Sequence, residues 1–326
     1  MIPVTQTVQT LPWLPGTIPL MLAPMQGLTN RALRSLFIDW VRPDLVFTEF
    51  LRVQPVSAKK RLAAADLREM APDEGGVPLV VQLIGHGREP LVTAAGEAQA
   101  AGARHLNLNL GCPYGRMTSG LTGGGMLQRP ELLTEIIPAL RQACSATFSV
   151  KLRAGYDDPE QIFSLLPLLE SAGVDFLILH PRTVVQEYGG SADHRITSRV
   201  VRSTRLPVIA NGDIRTAADG ERVLAETGAA GLMLGRGAIA DPLLFRRLRG
   251  LASATPNRAE RIATLQHYLR ELESRYCGLF CGDSQILSKL KAVLTPMDDP
   301  ELAKGLKQLR RATRLKAFAA VRDALA

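Results

Sequence analysis

A closed parallel (β/α)8 barrel followed by a helical domain is the architecture this sequence predicts, and three observations predict it. Short apolar or alternating runs recur at 20–25, 45–50, 79–84, 106–110, 148–152, 176–180, 208–211 and 231–235. Stretches of helix-forming composition lie between them, at 30–41, 90–101, 130–143, 159–172, 216–227 and 242–248. After about Leu251 that rhythm stops and amphipathic helical periodicity takes over. Eight strand candidates between residues 20 and 251 fit a closed barrel. A doubly wound sheet rarely needs so even a count.

Length and composition agree with that plan. The 326 residues suit a barrel of about 250 residues with a smaller unit appended. Apolar residues make up 46%, enough for a sizeable core, and charged residues only 21%, which excludes wholesale disorder. A formal charge of +8 points toward a polyanionic partner. The four cysteines, Cys112, Cys144, Cys277 and Cys281, are too few and too irregular for a disulfide framework. Cys277 and Cys281 are spaced as metal ligands can be but lack a second ligand pair, so no metal is expected. No apolar run approaches the length of a membrane span. The first residues, with Pro3, Thr5, Gln6 and Pro12, lack the basic start and apolar run of a signal peptide. A monomeric cytoplasmic protein is the expectation.

Taken in order, residues 1–19 read as an irregular extension containing Pro12, Trp13, Pro15 and Pro19. The barrel occupies 20–251, and several of its helices open on Pro or Thr, as helix starts should. Ala254-Thr255-Pro256-Asn257-Arg258 breaks the pattern, with Thr255 or Asn257 as the candidate N-cap of the next helix. Residues 252–326 then read as a separate helical domain, with helices at 258–276, 284–294 and 301–324. In the last, Leu302, Leu306, Leu309, Ala312, Leu315 and Phe318 recur every three or four residues. From Thr255 onward there are 13 Lys or Arg against 8 Asp or Glu, so much of the positive charge sits here. Lys304, Lys307, Arg311 and Arg314 would share one helix face, a stripe that favours nucleic acid.

In such a barrel the chemistry gathers where the strands end. There the chain places Ala23-Pro24-Met25-Gln26-Gly27, Thr48-Glu49-Phe50-Leu51-Arg52, Gln82, Asn109, Cys112, Lys151 and Arg153. His180, Arg182 and Tyr188 follow, then Asn211-Gly212-Asp213 and Gly235-Arg236-Gly237. Cys112 closes Asn107-Leu108-Asn109-Leu110-Gly111-Cys112-Pro113, an alternating strand stopped by Gly and Pro. A lone Cys there is by itself more often a packed small residue than a reactive one. The constellation says more. Gln and Asn suit the pyrimidine edge of a flavin, Lys can stabilise negative charge near N1 of a reduced ring, and Gly with Arg suits a phosphate tail. Gly120 to Gly125 is not a P-loop, since no Gly-Lys-Ser/Thr follows.

Seven stretches in order resemble the tRNA-dihydrouridine synthases: Ala23-Pro24-Met25, Val81-Gln82-Leu83, Leu108 to Pro113, Val150 to Gly155, His180-Pro181-Arg182-Thr183, Ile209 to Ile214 and Leu234 to Gly237. The resemblance runs from about Leu20 nearly to the C-terminus. It implies an FMN barrel with a helical tRNA-binding domain and NADPH as reductant. By resemblance, Pro24, Met25, Gln26, Gln82, Lys151, His180, Asn211, Gly212, Asp213, Gly235 and Arg236 would hold FMN, and Cys112 would be the proton donor. Thr48 to Val53 is similar to the C subfamily, which reduces uridine 16 of the tRNA D-loop. Arg52, Asn109, Tyr188, Lys289, Lys291 and Arg310 match its tRNA-contacting positions in kind, and Arg182 would orient uracil or flavin. Tyr114 departs from the small residue usual after Cys-Pro, and Pro181 from the Gly usual after that His. The implied reaction passes hydride to C6 of a flipped uracil while the Cys112 thiol protonates C5. Two rivals stand beside it: an FMN oxidoreductase acting on a small molecule, and a non-catalytic tRNA-binding or folding protein on the same scaffold.

Overall fold

The structure, a computed structural model, describes residues 11–70, 75–113 and 121–325. Its centre is a parallel barrel of β1 (Leu20–Leu22), β2 (Leu45–Phe47), β3 (Leu51–Arg52), β4 (Leu79–Ile84), β5 (His105–Leu110), β6 (Thr147–Gly155), β7 (Phe176–Thr183), β8 (Val208–Asn211) and β9 (Gly231–Leu234). Neighbours follow the order β2-β1-β9-β8-β7-β6-β5-β4, and β4 pairs back onto β2 to close the ring. The short β3 continues the line of β2 along β4. The run expected as one strand at 45–50 is therefore interrupted at Thr48-Glu49-Phe50. The Thr48 hydroxyl takes the place of a ladder carbonyl there, accepting from the Gln82 amide at 3.0 Å.

The helices around the barrel are α1 (Arg31–Val41), α2 (Ala64–Glu69), α3 (Arg88–Ala100), α4 (Leu133–Ala143), α5 (Gln161–Ser171), α6 (His194–Ser203), α7 (Ala217–Thr227), α8 (Arg236–Ala240) and α9 (Leu244–Leu248). Asn30 caps α1, and Thr216 with Asp219 forms a capping box on α7. α2, α6 and α8 were not foreseen. α6 contains polar and β-branched residues that dilute its helical signature, although its apolar face, with Ile196 and Val200, is well defined.

Alternate residues of each strand face inward. From most strands these are apolar: Met21, Ala23, Leu45, Phe47, Val80, Phe176, Ile178, Ile209 and Met233 form one buried cluster. β4, β5 and β6 instead contribute Gln82, Asn107, Asn109, Ser149 and Lys151, set side by side by the strand register. Leu11 and Trp13 of the N-terminal segment pack onto the apolar cluster, and the Trp13 ring meets Phe176 edge-on at 5.0 Å. The described part of the extension thus closes the amino end of the barrel; residues 1–10 lie outside the described residues.

Beyond the barrel come α10 (Arg258–Leu279), α11 (Asp283–Leu294), α12 (Ala303–Arg311) and α13 (Leu315–Asp323). Asn257, one of two candidate caps, starts α10 through a capping box with Glu260. These helices share a continuous apolar core with α1: Tyr268 stands 6.2 Å from Phe37, and Leu290, Leu309 and Phe318 belong to the same cluster. The single helix expected at 301–324 is two. Ala312 is extended (φ −56°, ψ 130°), and Arg314 is the N-cap of α13. The expected shared face is therefore cut: Lys304, Lys307 and Arg311 lie on α12 and Arg314 does not, although all four are exposed. No Pro or Gly marks the break, and the apolar spacing runs through it unchanged because both helices bury the same side.

Candidate active site

A cavity of about 450 Å³ opens at the carboxyl ends of the strands, within the usual range for small-molecule sites. It brings together Pro24, Met25 and Gln26 after β1, Asn109 and Cys112 at the end of β5, and Lys151 on β6. His180, Tyr188, Asn211, Gly212, Asp213, Gly235 and Arg236, also expected at the site, stand in its wall. The strand register accounts for this. Asn109 stands opposite Lys151, and Arg153 opposite His180.

Cys112 is held through its backbone. The Asn109 side-chain oxygen accepts from the Gly111 and Cys112 amides at 2.9 and 3.0 Å. The Cys112 carbonyl accepts from Gly124 at 3.2 Å, and a Cβ at Gly124 would sit 2.8 Å from that oxygen, so the approach needs glycine. The side chain lines the cavity and is half-buried. Tyr114 to Gly120 of the following loop lie outside the described residues.

The wall beside it is cationic. Lys151 donates to the Asn211 side-chain oxygen at 3.0 Å. Burial pushes its ammonium down to about 8, with Arg153 adding to the shift and Cys112 opposing it. The ammonium remains mostly charged at neutral pH. His180 is different. Burial, then the charges of Lys151, Arg153, Arg182 and Arg236, pushes its imidazole down to about 2. Arg182 lies 3.0 Å from Nε2, and a guanidinium only donates, so Nε2 accepts and the ring is neutral with its proton on Nδ1. Partial burial alone would raise Asp213. Hydrogen bonds from Arg182 and the Ala192 amide, with the charges of Arg182 and Arg236, outweigh it and hold the carboxyl below the usual range. Gly212 (φ +126°) lets the turn pass beneath His180, where a Cβ would come within 2.8 Å of the ring. Tyr188, 43% exposed, stands at the mouth, with the guanidinium carbons of Arg236 and Arg153 at 4.8 and 5.4 Å from its ring centre.

Other expected site residues lie elsewhere. Gln82 is fully buried behind the wall, donating to Asn107 and accepting from Asn109, both at 2.8 Å. Arg182 is also behind it, its guanidinium spent on Asp213, His180 and the carbonyls of Gly189 and Gly190. Arg52 is exposed at the end of β3, outside the cavity. Lys289 donates to the Gly27 carbonyl at 3.2 Å, and Arg310 donates to the carbonyls of Leu294 and Met297, covering the end of α11. Lys291 is half-buried on α11. Conversely, Arg215 and Met233 line the cavity and were not foreseen. Arg215 directly precedes Thr216, the N-cap of α7, and a cation leading into a helix start is the signal that marks it. Among the described residues no cluster of three or more potential metal ligands occurs, Cys277 and Cys281 being exposed, and no helix is long and apolar enough to cross a membrane.

Comparison with known proteins agrees with this geometry. The family described as dihydrouridine synthase (Dus) matches residues 21–315. A tRNA-dihydrouridine(16) synthase of Cupriavidus necator is 35% identical over 264 residues, covering 78% of this chain and 82% of that protein. One of the same description from Pseudomonas putida is 36% identical over 227 residues, covering 68% and 70%. Among solved structures, morphinone reductase in complex with tetrahydroNAD shares the fold with a TM-score of 0.51 at 16% identity, covering 74% of this chain and 90% of that one. With its barrel, its strand-end cavity and nearly its whole length matched, the chain belongs to the dihydrouridine synthase family.

Proposed function

We propose that this protein reduces the C5–C6 double bond of a uridine in the tRNA D-loop to 5,6-dihydrouridine, at position 16, using FMN and NADPH. The observation that carries the reading is the pairing of a thiol with a cationic wall. Cys112 and Lys151 line the same cavity from neighbouring strands: Lys151 of β6 stands beside Asn109 of β5, and Asn109 holds the Cys112 amide. The relatives named as position-16 enzymes favour that position. Residues 20–251 would carry the flavin and the chemistry, and residues 252–326 most of the grip on tRNA.

The residues present fit FMN. Lys151, a charged donor at the cavity floor, suits a ring that gains negative charge on reduction. Gly212, Gly235 and Arg236 suit a phosphate, with Arg215 as a further cation nearby. Pro24, Met25, Gln26, His180, Asn211 and Asp213 complete the walls; Gln82 acts from behind, through Asn109. When bound and reduced by NADPH, FMN supplies the hydride taken up at C6. Cys112 gives its Sγ proton to C5 as general acid and is reprotonated from solvent, so hydride and proton together saturate the double bond. A D-loop uridine reaches the mouth at a smaller unstacking cost than a base in a duplex. The half-exposed Tyr188 ring offers it a stacking face. Exposed Lys304, Lys307, Arg311 and Arg314, with Arg52, meet phosphates and make binding salt-dependent.

Mapping dihydrouridine in tRNA from cells lacking the protein tests this. Loss at position 16 alone is expected. Loss at another D-loop position would overturn the assigned position, and an unchanged map would overturn the function.

A further inference from the structure

The polar wedge inside the barrel has a direction. Gln82, Asn107 and Ser149 stand in register on β4, β5 and β6, and their exposures are 0%, 1% and 1%. Such inward positions ordinarily carry branched apolar residues. Each side chain here is hydrogen-bonded, and the orientations follow from one fixed point.

That point is the backbone. The amides of Gly111 and Cys112 can only donate, so the atom of Asn109 facing them is its oxygen. Asn109 Nδ2 therefore faces Gln82, which must present Oε1, at 2.8 Å. Gln82 Nε2 then faces Asn107, which must present Oδ1, at 2.8 Å. Asn107 Nδ2 faces Ser149 Oγ, again at 2.8 Å, and the hydroxyl proton points to the Leu106 carbonyl at 3.4 Å. A reversal of any one amide would set donor against donor in a buried layer.

We propose that Asn107 and Ser149 are positioning residues for Cys112. They hold the Gln82 amide in the place from which it braces Asn109, the residue that holds the Gly111–Cys112 turn. Neither lines the cavity, so neither touches flavin or uridine. Without Asn107, the buried Gln82 amide nitrogen loses its acceptor, Gln82 shifts to find another, and its hold on Asn109 beneath the Cys112 amide slackens. The thiol then shifts relative to the carbon it protonates. This rests on Cys112 being the proton donor.

The test separates the two half-reactions in the full-length holoprotein. In Asn107→Leu, oxidation of the reduced flavin by tRNA should slow about 10- to 100-fold, the scale of a displaced catalytic group. Flavin affinity and flavin reduction by NADPH should stay as in the wild type. Ser149→Ala should slow the same half-reaction less, and Ser149→Thr, which keeps the hydroxyl, should restore it; this pair serves if Asn107→Leu does not fold. A second readout needs no flavin. Alkylation of Cys112 by iodoacetamide, followed peptide by peptide, should accelerate several-fold in Asn107→Leu and Ser149→Ala, while exposed Cys277 and Cys281 react unchanged. Wild-type Cys112 alkylation in both variants, or a parallel fall of both half-reactions, would overturn the proposal. A wild-type protein that alkylates as described but whose flavin is not oxidised by tRNA would instead count against the function.

Discussion

The two ends of the barrel use the same strands for opposite purposes. At the amino end, Leu11 and Trp13 cover an apolar cluster, and the contacts there are packing. At the carboxyl end the strands stop short of a cavity whose wall carries Cys112, Lys151, His180 and Arg236. Between them lies the buried polar layer of Gln82, Asn107 and Ser149, on one side of the barrel only. The two ends therefore tolerate different kinds of loss. Packing at the closed end supports stability, and hydrogen-bond geometry at the open end supports chemistry, so substitutions at the two ends should separate in their readouts.

The largest effect is expected at the open end. Cys112→Ala should lower dihydrouridine formation by about 100- to 10,000-fold, the range for loss of a general acid, with melting temperature and flavin content unchanged. A matching loss of stability would erase the distinction between the ends. Trp13→Ala should do the reverse, costing about 2 kcal/mol of stability by removing a partly buried aromatic, with turnover per folded molecule preserved. Urea unfolding alongside the activity assay reads both.

A third outcome concerns pH. His180 is held neutral in the folded protein at about 2, against 6.5 for an ordinary histidine. The unfolded chain therefore binds the extra proton, and stability falls as pH drops below about 6.5, by about 1.4 kcal/mol per unit for this group. His180→Gln should flatten that slope, while Trp13→Ala should leave it in place. The smallest effect sharpens the role of Lys289. Its ammonium holds the Gly27 carbonyl, while Glu49 accepts from the Gly27 amide at 3.0 Å, so both sides of the turn after β1 are clamped. Lys289→Gln should weaken flavin binding a few-fold in the absence of tRNA, in keeping with about 1 kcal/mol for one hydrogen bond. If only tRNA binding changes, Lys289 is a phosphate contact and not a clamp.

Much of this was legible from residue order. Period-two runs such as Leu106 to Leu110 mark strands, and strand ends mark the site, so most of the cavity wall follows from topology alone. What escaped depended on events outside the local pattern. Thr48 splits a strand because its hydroxyl competes for a ladder bond. Ala312 ends a helix with no breaker residue, since both halves bury the same side. Trp13 finds its place only when the barrel has closed beneath it. Gln82 and Arg182 have the residue types of ligand contacts, yet in the structure their polar atoms are met by this chain itself, while Lys289 and Arg310 each spend one donor group on its carbonyls. Residue type announces a donor; only packing says to whom it donates.

Reduction of a tRNA uridine at the open end can be followed by mixing purified protein, FMN, NADPH and tRNA that lacks dihydrouridine, then counting product against NADPH consumed. One dihydrouridine at position 16 for each NADPH oxidised is the expected result. A protein that binds the tRNA and oxidises NADPH while leaving every uridine intact would contradict it.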